Sequence, residues 1–350
     1  MRLPLKHAAL ALAFAMPATA FAQAETTIKV LGFWGNQPQI DDVDRPMWES
    51  IEEETDGRIE IQYLTLNEAG LNGSQALRFL RRGQFDIMTI NPSYVSGDEP
   101  SLVAVDLPGL AYDYETLREI SDVYRPTMAE RLERFDGVLL SHWPFNPQIV
   151  WCNEPVDSIT DLEGRKVRVS GAPAADTLDE LGATAVNLTG GEVYQALERG
   201  LVNCGSTGST YGYRTKWHEV ANHLYNFPLG SYSQVVQVAN KTFWDSLSEE
   251  DQEMIRTKMA AAEDELWAMA PRVHQQGVAC ATGEGTCELG GEPGDMTFTE
   301  VSEADKEVLA EIVNTVTIPN WKESCTPIFP ECGERFDETI GQVINGSDGS

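Results

Sequence analysis

The chain has 350 residues and a formal net charge of -30 at pH 7, with 25 basic residues set against 55 acidic ones. This length exceeds what one hydrophobic core usually organises, since domains average about 150 residues, and it favours two lobes. The negative charge excludes most nucleic-acid-binding functions, because binding to phosphates needs a basic face that displaces counterions.

The N-terminus has the pattern of a cleavable secretory signal peptide. Arg2 and Lys6 precede an apolar run over residues 8–15, and small residues around Ala20 and Ala22 offer a cleavage site. The run is too short to anchor the chain, and no later window approaches the roughly 18 apolar residues of a membrane-spanning helix. We therefore expect residues 1–24 to be removed and the mature chain to be exported to the periplasm.

Short β-rich runs alternate with amphipathic helical patterns along the mature chain. Strands are predicted over residues 27–31, 59–64, 85–90, 138–141, 166–169 and 234–239. Helices are predicted over residues 46–55, 74–82, 114–135, 174–181 and 191–199. This alternation is typical of α/β layers in which crossover helices connect parallel strands.

A longer helix is predicted to begin after Ser248 and to end near Gln276. Ser248 suits the N-cap position, and the acidic residues that follow it interact favourably with the helix dipole. At 1.5 Å per residue such a helix spans roughly 40 Å, which is long enough to bridge two lobes. The glycine-rich residues 283–291 are expected to form a loop closed by a disulfide.

Six cysteines in a chain with an export signal favour disulfides. The candidates are Cys152, Cys204, Cys280, Cys287, Cys325 and Cys332. Pairing 280 with 287 and 325 with 332 would close two small loops, although cross-pairing among these four is equally compatible with the sequence, and 152 with 204 is a possible third bridge. A zinc site is disfavoured because Cys or His pairs at shorter spacing are missing.

The sequence lacks the residue patterns of common enzymes. His218 and His223 are five residues apart, so on a helix their rings point about 140° from each other and cannot share a metal. The stretch around Ser206 does not have the Gly-x-Ser-x-Gly order of a nucleophile elbow. We therefore expect no catalytic activity, metal or cofactor; an exported hydrolase that uses Ser206 or His218 is the enzymatic alternative.

Several ordered motifs lie between Val156 and Val220. They are ITDLEGRKVRV from Ile159, LGAT from Leu181, EVYQALERG from Glu192 and WHEV from Trp217, with FDIMTINPSY from Phe85 and DLPGL from Asp106 further upstream. Together they resemble the solute receptors of TRAP transporters, the tripartite ATP-independent periplasmic family. The resemblance implies two α/β lobes of the periplasmic-binding-protein fold, joined by crossing strands and a long bridging helix, with a ligand in the cleft and a membrane permease as partner.

On this basis we expect residues 25–147 and 237–275 to form lobe I and residues 148–236 and 276–350 to form lobe II, in a monomer. The resemblance implies that Arg168 forms a two-pronged salt bridge with a ligand carboxylate. An arginine in a buried strand is costly unless it is paired, and its planar fork matches a carboxylate or a sulfonate. An internal ion pair with Asp or Glu is the alternative interpretation.

The sequence departs from the family pattern at three positions of the expected site. Thr207 stands where the family commonly has an asparagine that helps to hold the carboxylate. Gln148 replaces a second arginine, and Gly190 replaces an aromatic residue, which removes bulk from that wall of the cleft. These changes predict an organic anion that is bulkier or less charged than a C4-dicarboxylate.

Further ligand contacts are expected near strand ends and on the crossing segments. Trp34 is the preferred candidate because it follows the first strand directly, where this fold points residues into the cleft. The other candidates are Asn72, Asn91, Ser93, Tyr211 and Gln234, and for the aromatic ones core packing is the alternative. A sensor kinase in place of the permease is the main alternative partner.

Overall fold

The computed structural model describes residues 25–169, 171–229 and 231–346, so the predicted signal peptide of residues 1–24 lies outside the described residues. The strands are β1 (Thr26–Leu31), β2 (Ile59–Leu64), β3 (Ile87–Ile90), β4 (Gly137–Trp143), β5 (Gln148–Cys152), β6 (Lys166–Val169), β7 (Thr184–Asn187), β8 (Cys204–Gly208), β9 (His223–Asn226), β10 (Val235–Asn240) and β11 (Thr297–Glu300). They form two sheets, in the orders β2-β1-β3-β10-β4 and β11-β9-β5-β8-β6-β7.

The helices cover the faces of the two sheets. They are α1 (Arg45–Glu54), α2 (Ala76–Arg81), α3 (Tyr114–Glu133), α4 (Ala172–Glu180), α5 (Gly190–Glu198), α6 (Ser209–Arg214), α7 (Lys241–Ser246), α8 (Glu249–Thr282), α9 (Glu303–Ile312), α10 (Ile318–Cys325), α11 (Cys332–Glu338) and α12 (Ile340–Gly346). No helix in the described part of the chain combines the length and the apolar character that a membrane crossing requires.

The two sheets are mixed and not wholly parallel as expected, because β5 and β10 run antiparallel to their neighbours. β1 runs parallel to β2 and β3, but β10 is antiparallel to β3 and β4. In the second sheet β6 runs parallel to β7 and β8, whereas β5 is antiparallel to β8 and β9. β5 and β10 each enter a sheet straight from the other sheet, so no crossover helix reverses the chain before them.

Two short stretches carry the chain between the sheets, and we call them the crossing segments. They are residues 144–147, between β4 and β5, and residues 227–234, between β9 and β10. The Phe145 N–H donates to Tyr232 O at 3.1 Å, and the Gln148 N–H donates to Ser231 O at 2.6 Å. This pairing confirms the predicted crossing strands.

The buried carboxylate of Asp106 fastens the second crossing segment to the first sheet. It accepts the backbone N–H groups of Tyr232 and Gln234, each at 3.0 Å. Ser231 and Ser233 lie in the left-handed region with φ of 62° and 52°, which is uncommon for residues other than glycine. The Asp106 carboxylate therefore helps to hold a strained turn in place.

Helix α8 bridges the two sheets, as predicted. The Ser248 hydroxyl accepts the Asp251 N–H at 3.1 Å and caps the start of the helix. The Trp267 indole donates to His142 O on β4, and Val273 O accepts from the Thr210 hydroxyl on α6. The same helix thus contacts elements that belong to different sheets.

The predicted end of α8 near residue 276 is wrong, because Gly277 is not a terminator. A Cβ atom at Gly277 would lie 2.4 Å from Ser209 Oγ and 2.5 Å from Thr210 N. The missing side chain lets α6 pack directly against α8. The helix ends instead at Gly283, which has a φ of 72°.

Two of the expected disulfides are present, Cys152–Cys204 and Cys280–Cys287. The expected bridge between residues 325 and 332 is not formed, since both are buried free cysteines. Burial and the neighbouring Cys332 raise the pKa of the Cys325 thiol, so it stays protonated and unreactive. Both thiols pack as small apolar groups at the junction of α10 and α11.

The C-terminal helices α10–α12 pack on elements of the first sheet. The Trp321 indole donates to Pro100 O at 2.9 Å, and Arg335 forms a salt bridge with Glu130 of α3 at 3.3 Å. Asp305 of α9, in contrast, accepts from the Ser158 hydroxyl beside the second sheet. In the proposed division of the chain, these contacts favour moving α10–α12 from lobe II to lobe I.

Candidate ligand-binding site

A cleft of about 880 Å³ lies between the two sheets. One wall consists of residues that follow β1 and β3, and the other of residues on or after β6, β7 and β8. Among the described residues that line the cleft, Arg168 is the only charged one. Asp and Glu are absent from this lining, although the chain carries 55 of them.

Arg168 is held by backbone carbonyl groups. Its Nε donates to Leu188 O and its Nη1 donates to Ser206 O, both at 2.8 Å. A guanidinium has five N–H donors, so these two bonds leave donors on Nη1 and Nη2 for another partner. The described residues offer Arg168 no salt bridge, and the internal ion pair considered above is therefore wrong.

The environment of Arg168 disfavours an uncompensated charge. The residue is 6% exposed, and burial lowers the pKa of its guanidinium. Glu192 influences this pKa only from a distance, because its carboxylate is bonded to the hydroxyl and the backbone N–H of Thr189. Arginine nevertheless stays protonated in proteins, so the cleft holds a buried cation that lacks a counterion.

Two tyrosines lie close enough to Arg168 to be affected by its charge. Burial raises the pKa of Tyr94 and of Tyr211, and the nearby guanidinium partly opposes this effect. Tyr94 Oη accepts from the indole N–H of Trp34 at 3.1 Å, so its own hydrogen is free to donate. Phe33 packs on Tyr94 with ring centroids 5.8 Å apart, and on Phe145 at 5.2 Å.

Gly190 makes room for Tyr211. A Cβ atom at Gly190 would lie 2.6 Å from Tyr211 Oη. The phenol from α6 therefore occupies the space beside α5 that the missing aromatic side chain at position 190 leaves. Gly190 thus removes bulk at its own position, and Tyr211 refills the space from another helix.

The wall on the side of the first sheet is rich in amide and hydroxyl groups that are already oriented. Asn91 Oδ1 accepts the Ser93 N–H at 2.8 Å, and Asn91 Nδ2 donates to Ser233 Oγ at 3.0 Å. Asn72 Oδ1 accepts both the N–H and the hydroxyl of Ser74. Its Nδ2 group thus remains available in the cleft.

Thr207 and Gln148 line the cleft from the neighbouring strands β8 and β5. Gln148 Nε2 donates to Asn146 O at 3.0 Å, which leaves its Oε1 as the free group. Thr207 is 5% exposed, and its carbonyl accepts from the Trp151 indole. Trp151 and Trp143 are fully buried, so these two tryptophans serve the core.

The structure places most of the candidate residues around one cavity. Those that line it are Trp34, Asn72, Asn91, Ser93, Gln148, Arg168, Thr207 and Tyr211. Gln234 is wrong as a contact: its side chain is bonded to Ser121 and to Val105 O beneath the crossing segment. Its neighbour Ser233, in the left-handed conformation, lines the cleft, while the Gln234 side chain points into lobe I.

Sequence reasoning missed several lining residues, including Phe33, Tyr94, Phe145 and Asn146. Two of them, Phe145 and Asn146, lie on the first crossing segment. Tyr94 ends the motif that begins at Phe85, and its position after β3 could have identified it.

Arg214 links the two walls at the edge of the cleft through polar contacts with two residues. Arg214 Nη1, on α6, lies 3.5 Å from Asn36 Oδ1 and 3.6 Å from an oxygen of Asp41. Asn36 and Asp41 follow β1 on the opposite wall. The two contacts therefore join the walls, and together we call them the rim contact.

One group outside the cleft has the residue types of a metal site. Asp122, His142 and Glu263 bring their ligand atoms within 4.8 Å of one another. Arg125 Nη1 lies 2.9 Å from His142 Nδ1 and 2.7 Å from Glu263 Oε1. The guanidinium supplies the positive charge there, and the arrangement fits a structural ion pair better than a bound cation.

The residues of the hydrolase alternative have structural contacts. The Ser206 hydroxyl donates to Gln148 O at 3.0 Å. The ring of His218 stacks on Tyr213, with centroids 4.7 Å apart. Neither contact resembles the bond between a nucleophile and its base.

Comparisons with known proteins agree with this architecture. The sequence profile of the family described as bacterial extracellular solute-binding protein, family 7, matches residues 33–317. The sialic acid-binding periplasmic protein SiaP of Vibrio cholerae is 26% identical over 340 residues, which cover 94% of each chain. Alignments with other curated relatives are shorter: the chain spans 63% of a solute-binding protein of a Sulfitobacter species and 48% of the ectoine/5-hydroxyectoine-binding periplasmic protein UehA of Ruegeria pomeroyi.

Solved structures share the fold. DctP7, a Bordetella pertussis extracytoplasmic solute receptor binding pyroglutamic acid, has a TM-score of 0.77 at 19% identity, covering 93% of this chain and 100% of that one. A TRAP periplasmic solute-binding protein from a Sulfitobacter species, with bound β-D-galacturonate, has a TM-score of 0.76 at 18% identity, covering 90% and 99%. The predicted α/β fold class is confirmed.

Proposed function

Because the chain belongs to family 7 of the bacterial extracellular solute-binding proteins, the solute receptors of TRAP transporters, we propose that it binds a small organic anion in its cleft and delivers it to a membrane permease. In this proposal residues 1–24 direct export to the periplasm. The observation that carries it is Arg168, the one charged residue among the described residues of the cleft lining, with guanidinium donors that lack a partner.

The chemistry of binding follows from the free donors of Arg168. Since Nε is bonded to Leu188 O, an anion approaches the end of the guanidinium and pairs with Nη1 and Nη2. The Thr207 hydroxyl, on the neighbouring strand, supplies a further donor. Each charge-assisted bond contributes about 1.5–3 kcal/mol, and the lower dielectric of a closed cleft strengthens it.

The named ligands of the compared proteins support an organic acid. Sialic acid, pyroglutamic acid and galacturonate all carry a carboxylate, and each is small enough for this cleft. A cleft of about 880 Å³ also falls within the range of roughly 300–1,000 Å³ that small-molecule sites occupy. We take galacturonate and pyroglutamate as the first probes.

Ligand-induced stabilisation of the purified mature chain tests the proposal. At a probe concentration of about 100 times Kd, mass action stabilises the folded chain by about 2.7 kcal/mol. Arg168→Ala should abolish the thermal shift of every organic acid that stabilises the wild type. Arg199→Ala is the matched control, because Arg199 is an exposed arginine of the same half of the chain. A shift that survives in Arg168→Ala would contradict the proposed site.

The partner is tested separately from the ligand. Uptake of the bound acid by cells that contain the receptor and its candidate permease should depend on both proteins. If the receptor instead controls phosphorylation of a sensor kinase without any uptake, the alternative partner is correct and the binding site remains valid.

A further inference from the structure

From the charges that line the cleft, we infer that the ligand is a monoanion whose remaining groups are uncharged and hydrogen-bonding, carried on a ring. This inference rests on the proposed function and narrows it. It excludes dicarboxylates, in which two charges need two cations, and zwitterions, in which an ammonium group needs an acceptor of opposite charge.

Few of the described residues in and around the cleft are positively charged. Arg168 is the sole cation of the described lining, and the arginine at the rim, Arg214, already contacts Asp41. Gln148 occupies the position at which the family carries a second arginine, and its amide nitrogen is bonded to Asn146 O. A second carboxylate in the cleft would therefore be buried without a counterion, which is strongly unfavourable.

Negative charge is absent from the described lining of the cleft. An ammonium group is stabilised by carboxylates, and the described lining of the cleft has none. Aromatic rings attract cations as well, but Tyr94 and Tyr211 lie within the field of Arg168. That field repels an ammonium group from the aromatic side of the cleft, so an amino acid binds less well than its uncharged-amide analogue.

Apart from Arg168, the described lining of the cleft is neutral and offers polar groups beside aromatic rings. Asn72 Nδ2, Gln148 Oε1 and the Tyr94 hydroxyl are neutral groups that keep a free donor or acceptor after their internal bonds are counted. Such groups match hydroxyl or amide groups of a ligand. Trp34 and Phe33 add apolar ring surface, and the indole N–H of Trp34 already donates to Tyr94 Oη. Polar groups beside an apolar surface fit a ligand ring that bears hydroxyl or amide groups.

The experiment is a charge series on a sugar and on a five-membered ring. D-Galactose and D-galacturonate differ in charge on one pyranose ring, and galactarate is the open-chain dianion of the same carbon chain. On the five-membered ring, 2-pyrrolidinone is neutral, pyroglutamate is a monoanion and proline is a zwitterion. Thermal shifts and calorimetric titrations compare them on the mature chain. A charge-assisted pair predicts that a monoanion binds about 10- to 100-fold more tightly than the neutral, dianionic or zwitterionic member of its series.

A dianion, zwitterion or neutral compound that binds as tightly as its monoanion would overturn the inference. The absence of any stabilisation by both monoanions would also count against it, since each carries the inferred chemistry. If a dianion stabilises the wild type but not Arg168→Ala, the proposed function stands and only the inference fails. If Arg168→Ala retains all stabilisation, the proposed site itself fails.

A variant with an added positive charge tests the same argument from charge count by changing the protein instead of the ligand. Gln148→Arg adds a second cation to the lining and should raise the affinity for galactarate by about tenfold or more relative to galacturonate. Gln148→Met has a similar size and no charge, and it should not change that ratio in the same direction. An unchanged ratio in a folded Gln148→Arg chain would contradict the argument from charge count.

Discussion

Arg168 keeps its charge available because backbone carbonyls, and not a carboxylate, fix its side chain. The bonds to Leu188 O and Ser206 O orient the guanidinium before any ligand arrives. An internal ion pair would have been more stable without ligand, but it would have had to break on binding. The unpaired cation therefore makes the ligand-free protein less stable, but it is already oriented for a ligand.

Gly190 and Tyr211 form a pair in which a small residue permits a large one. Gly190→Ala should place a Cβ against Tyr211 Oη, displace the phenol and weaken binding of a probe anion by about tenfold, since adjacent residues couple by roughly 0.5–3 kcal/mol. In the double variant Gly190→Ala with Tyr211→Leu the phenol ring that the Cβ would meet is gone, and the affinity should equal that of Tyr211→Leu alone. Calorimetry measures all four combinations, and simple additivity of the two changes would contradict the contact.

Asp106 gives the stability of the protein a pH dependence. Burial outweighs the N–H bonds that this carboxyl receives and raises its pKa from 3.8 to about 7. The folded chain then binds a proton that the unfolded chain releases, so the contribution to stability is present at low pH and is lost as pH rises through 7. The slope reaches at most about 1.4 kcal/mol per pH unit.

This contribution appears in the difference between the wild type and Asp106→Asn, which has no titrating group at the position. Between pH 4 and 7 the difference in unfolding free energy should fall steadily with pH, and above pH 7 it should level off. Other buried groups such as Asp44, with a pKa of about 6, cancel in this difference. Chemical denaturation at each pH gives the values, and a flat difference would show that Asp106 is ionised throughout.

At the scale of elements, the two disulfides close loops of very different size. Cys152–Cys204 joins β5 to β8 across 52 residues, and Cys280–Cys287 closes the end of α8 across 7. Loop-closure entropy assigns about 4 kcal/mol to the first and about 2.4 kcal/mol to the second. Replacing each pair by alanines should therefore destabilise the first variant more, as urea unfolding would measure; the reverse order would favour local strain over chain entropy.

Local signals predicted the elements well where they depend on adjacent residues. Ser248 and the acidic residues after it correctly located the start of α8, and the basic strand motif correctly placed Arg168 in the cleft. Long-range contacts decided the rest. A glycine such as Gly277 is common just after the end of a helix, yet here it lets α6 pack closely against the middle of α8. The sequence around Gly277 does not show this long-range contact.

The candidate site was predictable to a similar extent. A motif identifies Arg168, Thr207 and Gln148 because they occupy strands with a recognisable order. Tyr211 was expected only as one aromatic among several, and its pairing with Gly190 depends on how α6 packs on α5. The left-handed turn of the crossing segment likewise decides that residue 233 and not 234 faces the cleft, and the sequence pattern does not reveal that turn.

At the scale of the whole molecule, the walls of the cleft are joined by the crossing segments, by α8 and by the rim contact. The rim contact can break without unfolding, because it is a partly exposed pair between Arg214 and residues after β1. A ligand that contacts both walls therefore favours the closed arrangement. A swing from 1:99 to 99:1 requires it to prefer the closed form by about 5.5 kcal/mol.

Small-angle X-ray scattering should show a smaller radius of gyration when a binding anion is added. Arg214→Ala should lower the affinity for that anion by about two- to fivefold, since an exposed ion pair contributes roughly 0.2–1 kcal/mol. The control Arg199→Ala should leave both the compaction and the affinity unchanged. Equal radii with and without ligand, in a chain that binds it, would mean that the closed form already predominates.

Arg168, the one positive charge among the described residues of the cleft lining, lies inside a chain whose formal charge is -30. An anion therefore approaches against the long-range potential of the protein and meets attraction only within the last few ångströms. Dissolved salt screens the repulsion over about 8 Å at physiological ionic strength, while the buried contact with Arg168 is screened much less. Capture by this molecule should thus become faster in saline surroundings, the reverse of what electrostatic steering produces in oppositely charged pairs.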